Sequence, residues 1–312
     1  MRAVTIRENE ILIEEHADPV PGLGEVLVRV RAAGLNGGDM MQRRGLYPAP
    51  AGSPQDIPGM ELAGEVAALG PGAARFSVGD RVMAVVGGGG QAELATAHER
   101  LFMPVPDTLD WPEAGGLPEV FVTAHDALFT QCELRCGERL LVHGGAGGVG
   151  TAAIQLARAV GASVTATVRR AELRGQVAEL GAEAIAPEGF AEHGPFDVVL
   201  ELVGAPNLAE NLQALDTGGR IAVIGVSAGA KGELNLLALM GKRARIHGST
   251  LRARPLEEKA QCARRLEHEV LPLFDSGALR VPLAETFPLD DAAAAYERFA
   301  AGGKLGKIVL TA

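Results

Sequence analysis

The sequence predicts an α/β protein in which a doubly wound parallel sheet is inserted into a β-rich domain. Three observations carry that prediction. Short alternating apolar runs, punctuated by Gly and Pro, fill residues 1–117. From about Pro118 the texture changes to near-continuous apolar strands alternating with helices of ten or more residues. A glycine-rich turn, Gly145-Ala146-Gly147-Gly148-Val149-Gly150, then joins the first such strand to the first such helix.

The elements follow in order. Met1-Arg2-Ala3-Val4-Thr5-Ile6 reads as a strand that starts at once, with no apolar signal core ahead of it. Val26-Leu27-Val28-Arg29-Val30-Arg31 alternates, and residues 64–67 and 81–86 are similar. Pro19, Pro21-Gly22, Pro58-Gly59, Pro71-Gly72 and Gly79-Asp80 mark the turns between such runs. Residues 139–143 form the strand before the glycine turn, and Ile154, Leu156, Ala157 and Val160 fall at helical spacing after it. A β-branched strand over 163–168 leads to a helix over 171–180, stopped by Gly181. Strands are expected over 196–202, 220–226 and 245–250, with a helix over 208–215. After Pro255 the pattern predicts one long amphipathic helix over 256–274, then residues 282–288, a further helix and a final strand over 307–310. The expected domains are residues 1–118 with 254–312, and an inserted nucleotide-binding domain over 119–253.

Composition narrows the function classes. The chain has 312 residues, 47% hydrophobic and 22% charged, an ordinary globular balance. A net charge of −10, with no sizeable basic run, argues against a nucleic-acid partner, and no uncharged apolar run reaches membrane-spanning length. The sparse cysteines, Cys132, Cys136 and Cys262, point to a reducing cytoplasm and away from a disulfide framework.

Gly145, Gly147, Gly148, Val149 and Gly150 are the sharpest candidate site. The glycines permit a tight turn, close approach of the backbone to a pyrophosphate and close helix–strand packing, and the helix N-terminus offers free N–H groups. The end of the next strand discriminates between dinucleotides. An NAD site carries an acid there for the ribose 2′-hydroxyl, whereas this chain has Arg169 and Arg170, with Arg174 a turn further on. Guanidinium forks suit a 2′-phosphate, so NADP(H) is the expected cofactor. Glu172 is expected to face water.

Ala32-Ala33-Gly34-Leu35-Asn36, Gln42-Arg43-Arg44-Gly45-Leu46-Tyr47-Pro48, residues 58–66, Val78-Gly79-Asp80-Arg81-Val82, the glycine loop and Leu305-Gly306-Lys307-Ile308-Val309 occur in order along nearly the whole chain. Together they resemble the zinc-independent, zeta-crystallin-like quinone oxidoreductases of the medium-chain dehydrogenase/reductase superfamily. The resemblance implies a Rossmann domain inserted in a GroES-like β-barrel domain. Zinc-dependent relatives place Cys where this chain has Asn36, and His-Glu where it has Met60-Glu61; their four-cysteine structural lobe is missing, so no metal is expected. Without zinc, NADPH-dependent reduction of a quinone is the leading expectation. Reduction of an activated C=C bond in an enone, alkenal or enoyl thioester stays open, as does a non-catalytic NADPH-binding protein.

The resemblance also implies site residues. Asn36 and Tyr47 are expected beside the nicotinamide as catalytic groups, although Tyr47 packed on its turn fits the sequence as well. Thr123 is expected near the nicotinamide, while a catalytic role for His125 is not. Val203-Gly204 and Gly225-Val226 end strands at the sheet edge where ligands bind. Ser249-Thr250-Leu251 and Lys307 complete the expected cofactor contacts, with strand-edge solvation as the rival account of Lys307. Gln91 stands where relatives often carry an aromatic residue. Residues 243–250 are the candidate edge for a homodimer.

Overall fold

The computed structural model describes residues 1–312. In chain order its elements are β1 (Arg2–Arg7), β2 (Glu10–Glu15), β3 (Glu25–Gly34), α1 (Gly37–Arg43), β4 (Glu61–Leu69), β5 (Arg81–Val85), β6 (Leu94–His98), β7 (Phe102–Pro104), α2 (Trp111–Gly116) and α3 (Pro118–His125). Then come β8 (Arg139–His143), α4 (Gly148–Ala159), β9 (Ser163–Thr167), α5 (Arg174–Glu179), β10 (Glu183–Ile185), β11 (Phe196–Glu201), α6 (Leu208–Ala214), β12 (Leu215–Val223), α7 (Leu236–Lys242) and β13 (Arg245–Gly248). The chain closes with α8 (Leu256–Glu269), α9 (Leu271–Asp275), β14 (Leu283–Pro288), α10 (Ala292–Ala301) and β15 (Lys307–Thr311). None of these helices is long and apolar enough to cross a membrane.

The chain divides into two compact units: Met1–Val122, Leu251–Gly302 and Lys307–Ala312 form one, Thr123–Thr250 and Gly303–Gly306 the other. Gly303–Gly306 groups with the second unit because Gly306 N–H donates to Ala146 O at 2.8 Å, beside the glycine loop.

In the first unit a seven-stranded sheet runs β14-β15-β3-β4-β5-β7, with β6 also on β3. β3 explains the shape. Its start pairs with β6 and its end with β15, while β4 follows its other edge, so the sheet curls into the GroES-like barrel. Val26, Val28 and Val30 point inward from alternate positions and pack with Leu62, Val82 and Phe102. A second core gathers the fully buried Tyr296 with Leu289, Ile308 and Leu310.

The second unit is a six-stranded, wholly parallel sheet in the order β10-β9-β8-β11-β12-β13. Counted from β8, that is the doubly wound order of a Rossmann domain, with its switch point between β8 and β11. Leu141 and Val199, both fully buried, pack with Phe190, Phe196 and Ile221. Truncating Leu141 to Ala would cost about 2–5 kcal/mol.

The structure corrects two helices. The expected helix over 256–274 breaks at Val270, because Pro272 has no N–H to continue the ladder and its ring crowds the preceding turn. Residues 171–180 begin as a 3₁₀ turn, Ala171–Leu173, before α5. The short strand β10 and the helices α2 and α3, followed by a π-helical turn over Asp126–Gln131, were not anticipated.

Candidate active site and nucleotide-binding loop

In the second unit, β8 ends at His143 and the chain turns through Gly144 at φ +69°. Gly145 N–H donates to Thr167 O at 3.0 Å, and Gly147 N–H returns to Gly144 O at 3.0 Å. A Cβ on Gly145 would lie 2.8 Å from the Ala166 methyl, and one on Gly150 would lie 2.5 Å from Gly144 O. The loop therefore needs glycine at both places. α4 opens at Gly148 behind Gly147, with no side-chain cap and no acid in its first turn. The N–H groups of Gly148, Val149 and Gly150 lack intrahelical acceptors, and this uncapped, acid-free turn suits a pyrophosphate.

Arg169 and Arg170 stand exposed beyond β9. Arg170 is 3.5 Å from Glu172, so that glutamate faces its neighbour as well as water. Arg174 instead turns inward, Nε donating to Val168 O at 3.1 Å.

A buried polar network lies behind the loop. His143 Nε2 is 2.7 Å from Asn211 Oδ1, and its Nδ1 is 3.1 Å from Thr167 Oγ1. Asn211 donates to Glu201, whose other oxygen accepts the N–H groups of Val203 and Gly204 at 2.6 and 2.8 Å. Burial holds the His143 pKa below its usual value. Glu201 thus fixes the turn carrying two of the expected cofactor residues. Gly225 packs so closely on Leu202 that a Cβ would meet its carbonyl oxygen at 2.3 Å, while Val226 is exposed.

Thr123 is buried, as is His125, whose ring meets Phe129 edge-on at 5.0 Å. Ser249 reaches Asp126 at 3.3 Å and Thr250 is exposed. Leu251 belongs to the first unit and lines a small apolar cavity there with Val85, Met103 and Lys259.

The first unit builds a charged cluster from distant segments. Lys307 is 2% exposed, and its ammonium donates to Leu35 O at 2.9 Å, Asn36 Oδ1 at 2.7 Å and Glu61 Oε1 at 2.6 Å. It is a buried ion-pair residue rather than a solvated strand edge. Asn36 Nδ2 donates to the same Glu61 oxygen at 2.8 Å, and Glu119 N–H donates to the other at 2.8 Å. Asp39 lies wholly buried at the start of α1, accepting Asn36 N–H and Gly59 N–H; burial lifts its pKa to about 6 against those bonds. Burial raises Glu119 further, to about 8, with Glu61 the next cause.

Tyr47 is partly buried, its ring 5.2 Å from the Arg252 guanidinium. Arg252 is buried and bonds Gly87 O, Tyr47 O and Gln42 Oε1, bracing the Tyr47 loop within this unit. Desolvation, then Glu119, raises the Tyr47 pKa. Gln91 is fully buried and accepts from Tyr296 OH at 2.9 Å. It fills the core rather than lining a surface.

Zinc does not fit this donor set. Asn36 offers an amide already shared with Lys307 and Glu61, Met60 offers a thioether, and an ammonium already neutralises Glu61. Asp39, Glu119 and Glu201 were absent from the sequence reading. Glu201, closing a strand just before Val203-Gly204, is the one that left a local signal.

Comparison with known proteins agrees with both units. The alcohol dehydrogenase GroES-like domain family matches residues 22–107, and the zinc-binding dehydrogenase family matches residues 176–310. The quinone oxidoreductase of Rattus norvegicus is 33% identical over 94% of this chain and 90% of its own. An alcohol dehydrogenase superfamily protein from Novosphingobium aromaticivorans superposes with a TM-score of 0.89 at 32% identity, covering 100% of this chain and 99% of that one. Mycobacterial Rv1454c, solved in complex with NADPH, gives 0.88 at 28% identity and covers 100% of both chains. The chain is an oxidoreductase and belongs to the quinone oxidoreductase family of the medium-chain dehydrogenase/reductase superfamily.

Proposed function

We propose that the protein reduces quinones with NADPH and without zinc. The observation that carries the reading is the pair formed by an uncapped, acid-free glycine loop and the exposed Arg169 and Arg170 beyond the next strand. The NADPH complex of a similar structure supports it. The bound reduced nicotinamide supplies a hydride.

This chain's residues do the rest. Gly148, Val149 and Gly150 present N–H groups to the pyrophosphate. Arg169 and Arg170 meet the 2′-phosphate, and Arg174 holds the strand end in shape. Glu201 sets the turn at Val203 and Gly204, which with Gly225 and Val226 lies along the ribose and nicotinamide. Thr123, Ser249 and Thr250 border the nicotinamide, while Leu251 is buried in the first unit. Asn36 and Tyr47 face the reacting end, and Lys307 acts through Asn36, since all three of its protons are already taken. A quinone is electrophilic enough to accept hydride without a Lewis acid.

We assign the enzyme to the cytoplasm from its sparse cysteines. We also propose a homodimer joined through β13, which pairs only with β12 at the sheet edge.

Steady-state oxidation of NADPH and NADH with benzoquinone, a larger ortho-quinone and a simple enone tests the reading. Rapid quinone turnover with NADPH, and little with NADH, is expected. Turnover of the enone alone would move the activity to C=C reduction. Tight NADPH binding with no turnover would leave a nucleotide-binding protein.

A further inference from the structure

We propose that Glu119 is the proton donor of the reduction, its carboxyl protonating the oxygen left anionic when the quinone accepts hydride. The inference rests on the quinone reading and deepens it by naming the acid.

The geometry selects Glu119 by elimination. Three carboxyls share the cluster of the first unit. Asp39 is fully buried, and its two oxygens accept Asn36 N–H and Gly59 N–H. Glu61 is fully buried, with one oxygen held by Lys307 and Asn36 and the other by the Glu119 backbone. Neither can reach a substrate. Glu119 differs on every count: it is partly exposed, and the structure gives its carboxyl oxygens no hydrogen bond and no ion pair. Its backbone N–H is anchored on Glu61 at 2.8 Å, so the side chain leaves from a fixed point.

Desolvation, and after it the charges around the carboxyl, explain why it can hold a proton. Glu61 and Asp39 repel a second anion, while Lys307 and Arg252 favour one; both cations are engaged elsewhere, Lys307 on Glu61 and Arg252 on three oxygens. The second position of α3 would favour a carboxylate through the helix dipole, an effect that is small beside burial. Desolvation outweighs it and sets the pKa near 8. Tyr47, the other candidate donor, is pushed upward from 10 by desolvation and by Glu119 itself. An acid near 8 is better matched to neutral pH than a phenol above 10.

The step balances. NADPH delivers two electrons and one hydrogen as hydride, reducing the quinone to a hydroquinone monoanion. The Glu119 O–H bond breaks as its proton passes to that oxygen, completing the hydroquinone, and solvent reprotonates the carboxylate. The acid form is the active one, so turnover is full below pH 8 and falls as pH rises through about 8.

The test compares wild type with E119Q and E119D. E119Q keeps the backbone anchor and the side-chain shape. Its kcat should fall about a hundredfold, in the range of a lost general acid, with the limb near pH 8 gone and E119D partly restoring both. Independently of turnover, infrared spectroscopy of the protein without nucleotide should show a protonated-carboxyl band at neutral pH. That band should titrate near pH 8 and be missing from E119Q. An active wild type whose kcat and pH limb survive in E119Q overturns the role of Glu119 alone. A wild type inactive on every quinone overturns the quinone reading and this role with it, whatever the infrared band shows.

Discussion

The two units build their polar clusters in opposite ways. The glycine loop of the second unit works by leaving things out: no side chain at Gly145 or Gly150, no cap at Gly147, no acid in the first turn of α4. The polar groups it presents are backbone N–H, fixed in charge and direction. The cluster of the first unit crowds Asn36, Asp39, Glu61, Glu119 and Lys307 together, and its properties come from charges taken out of water. A backbone site is insensitive to pH and intolerant of added volume. A buried charge cluster is sensitive to pH as well, because a lost partner leaves an uncompensated ion.

Four variants would break or sharpen that contrast. The largest effect belongs to Lys307→Met, which strands the fully buried Glu61. Chemical denaturation should show a loss of about 3–5 kcal/mol, and a loss under 1 kcal/mol would mean that the cluster is not held by charge. Next comes Gly150→Val, whose Cβ would collide with Gly144 O. NADPH affinity, read by fluorescence titration, should weaken about 10- to 100-fold, or roughly 1.4–2.7 kcal/mol, with little change in affinity for a quinone.

Replacing Arg169 and Arg170 by Ala should cost NADPH about 1.5–3 kcal/mol of binding, the range for a charged hydrogen bond, and leave NADH untouched. Equal losses for both nucleotides would remove the 2′-phosphate assignment. Smallest is Glu172→Ala, which releases Arg170 from an exposed pair worth about 0.2–1 kcal/mol. NADPH should bind up to a few-fold tighter by titration, and weaker binding would show that Glu172 orients Arg170 instead of competing for it.

The same contrast explains what could be read in advance. The glycine loop is contiguous, so Gly145 to Gly150 and the strand and helix flanking it declare themselves in a short window. Apolar strand texture and turn punctuation likewise gave the parallel and β-rich regions, since both periods are local. Other features were less visible. The break at Val270 follows from Pro272, yet the apolar pattern runs on through it. The strand β10 is only three residues long and carries too little pattern to show. Lys307 was noticed through resemblance, and its partners Asn36 and Glu61 lie 271 and 246 residues away.

What the sequence determined by itself was therefore whatever depends on neighbours along the chain: the fold class, the glycine loop, the position of the arginines beyond β9 and the family. What only the tertiary structure decided was the protonation and partnership of the buried groups. Glu119 looks like any glutamate at a helix start until Glu61 and Asp39 are brought beside it and part of its water is removed. Desolvation and Coulomb interaction depend on distance through space, and residues 36, 39, 61, 119 and 307 become neighbours only when α1, β4, α3 and β15 assemble.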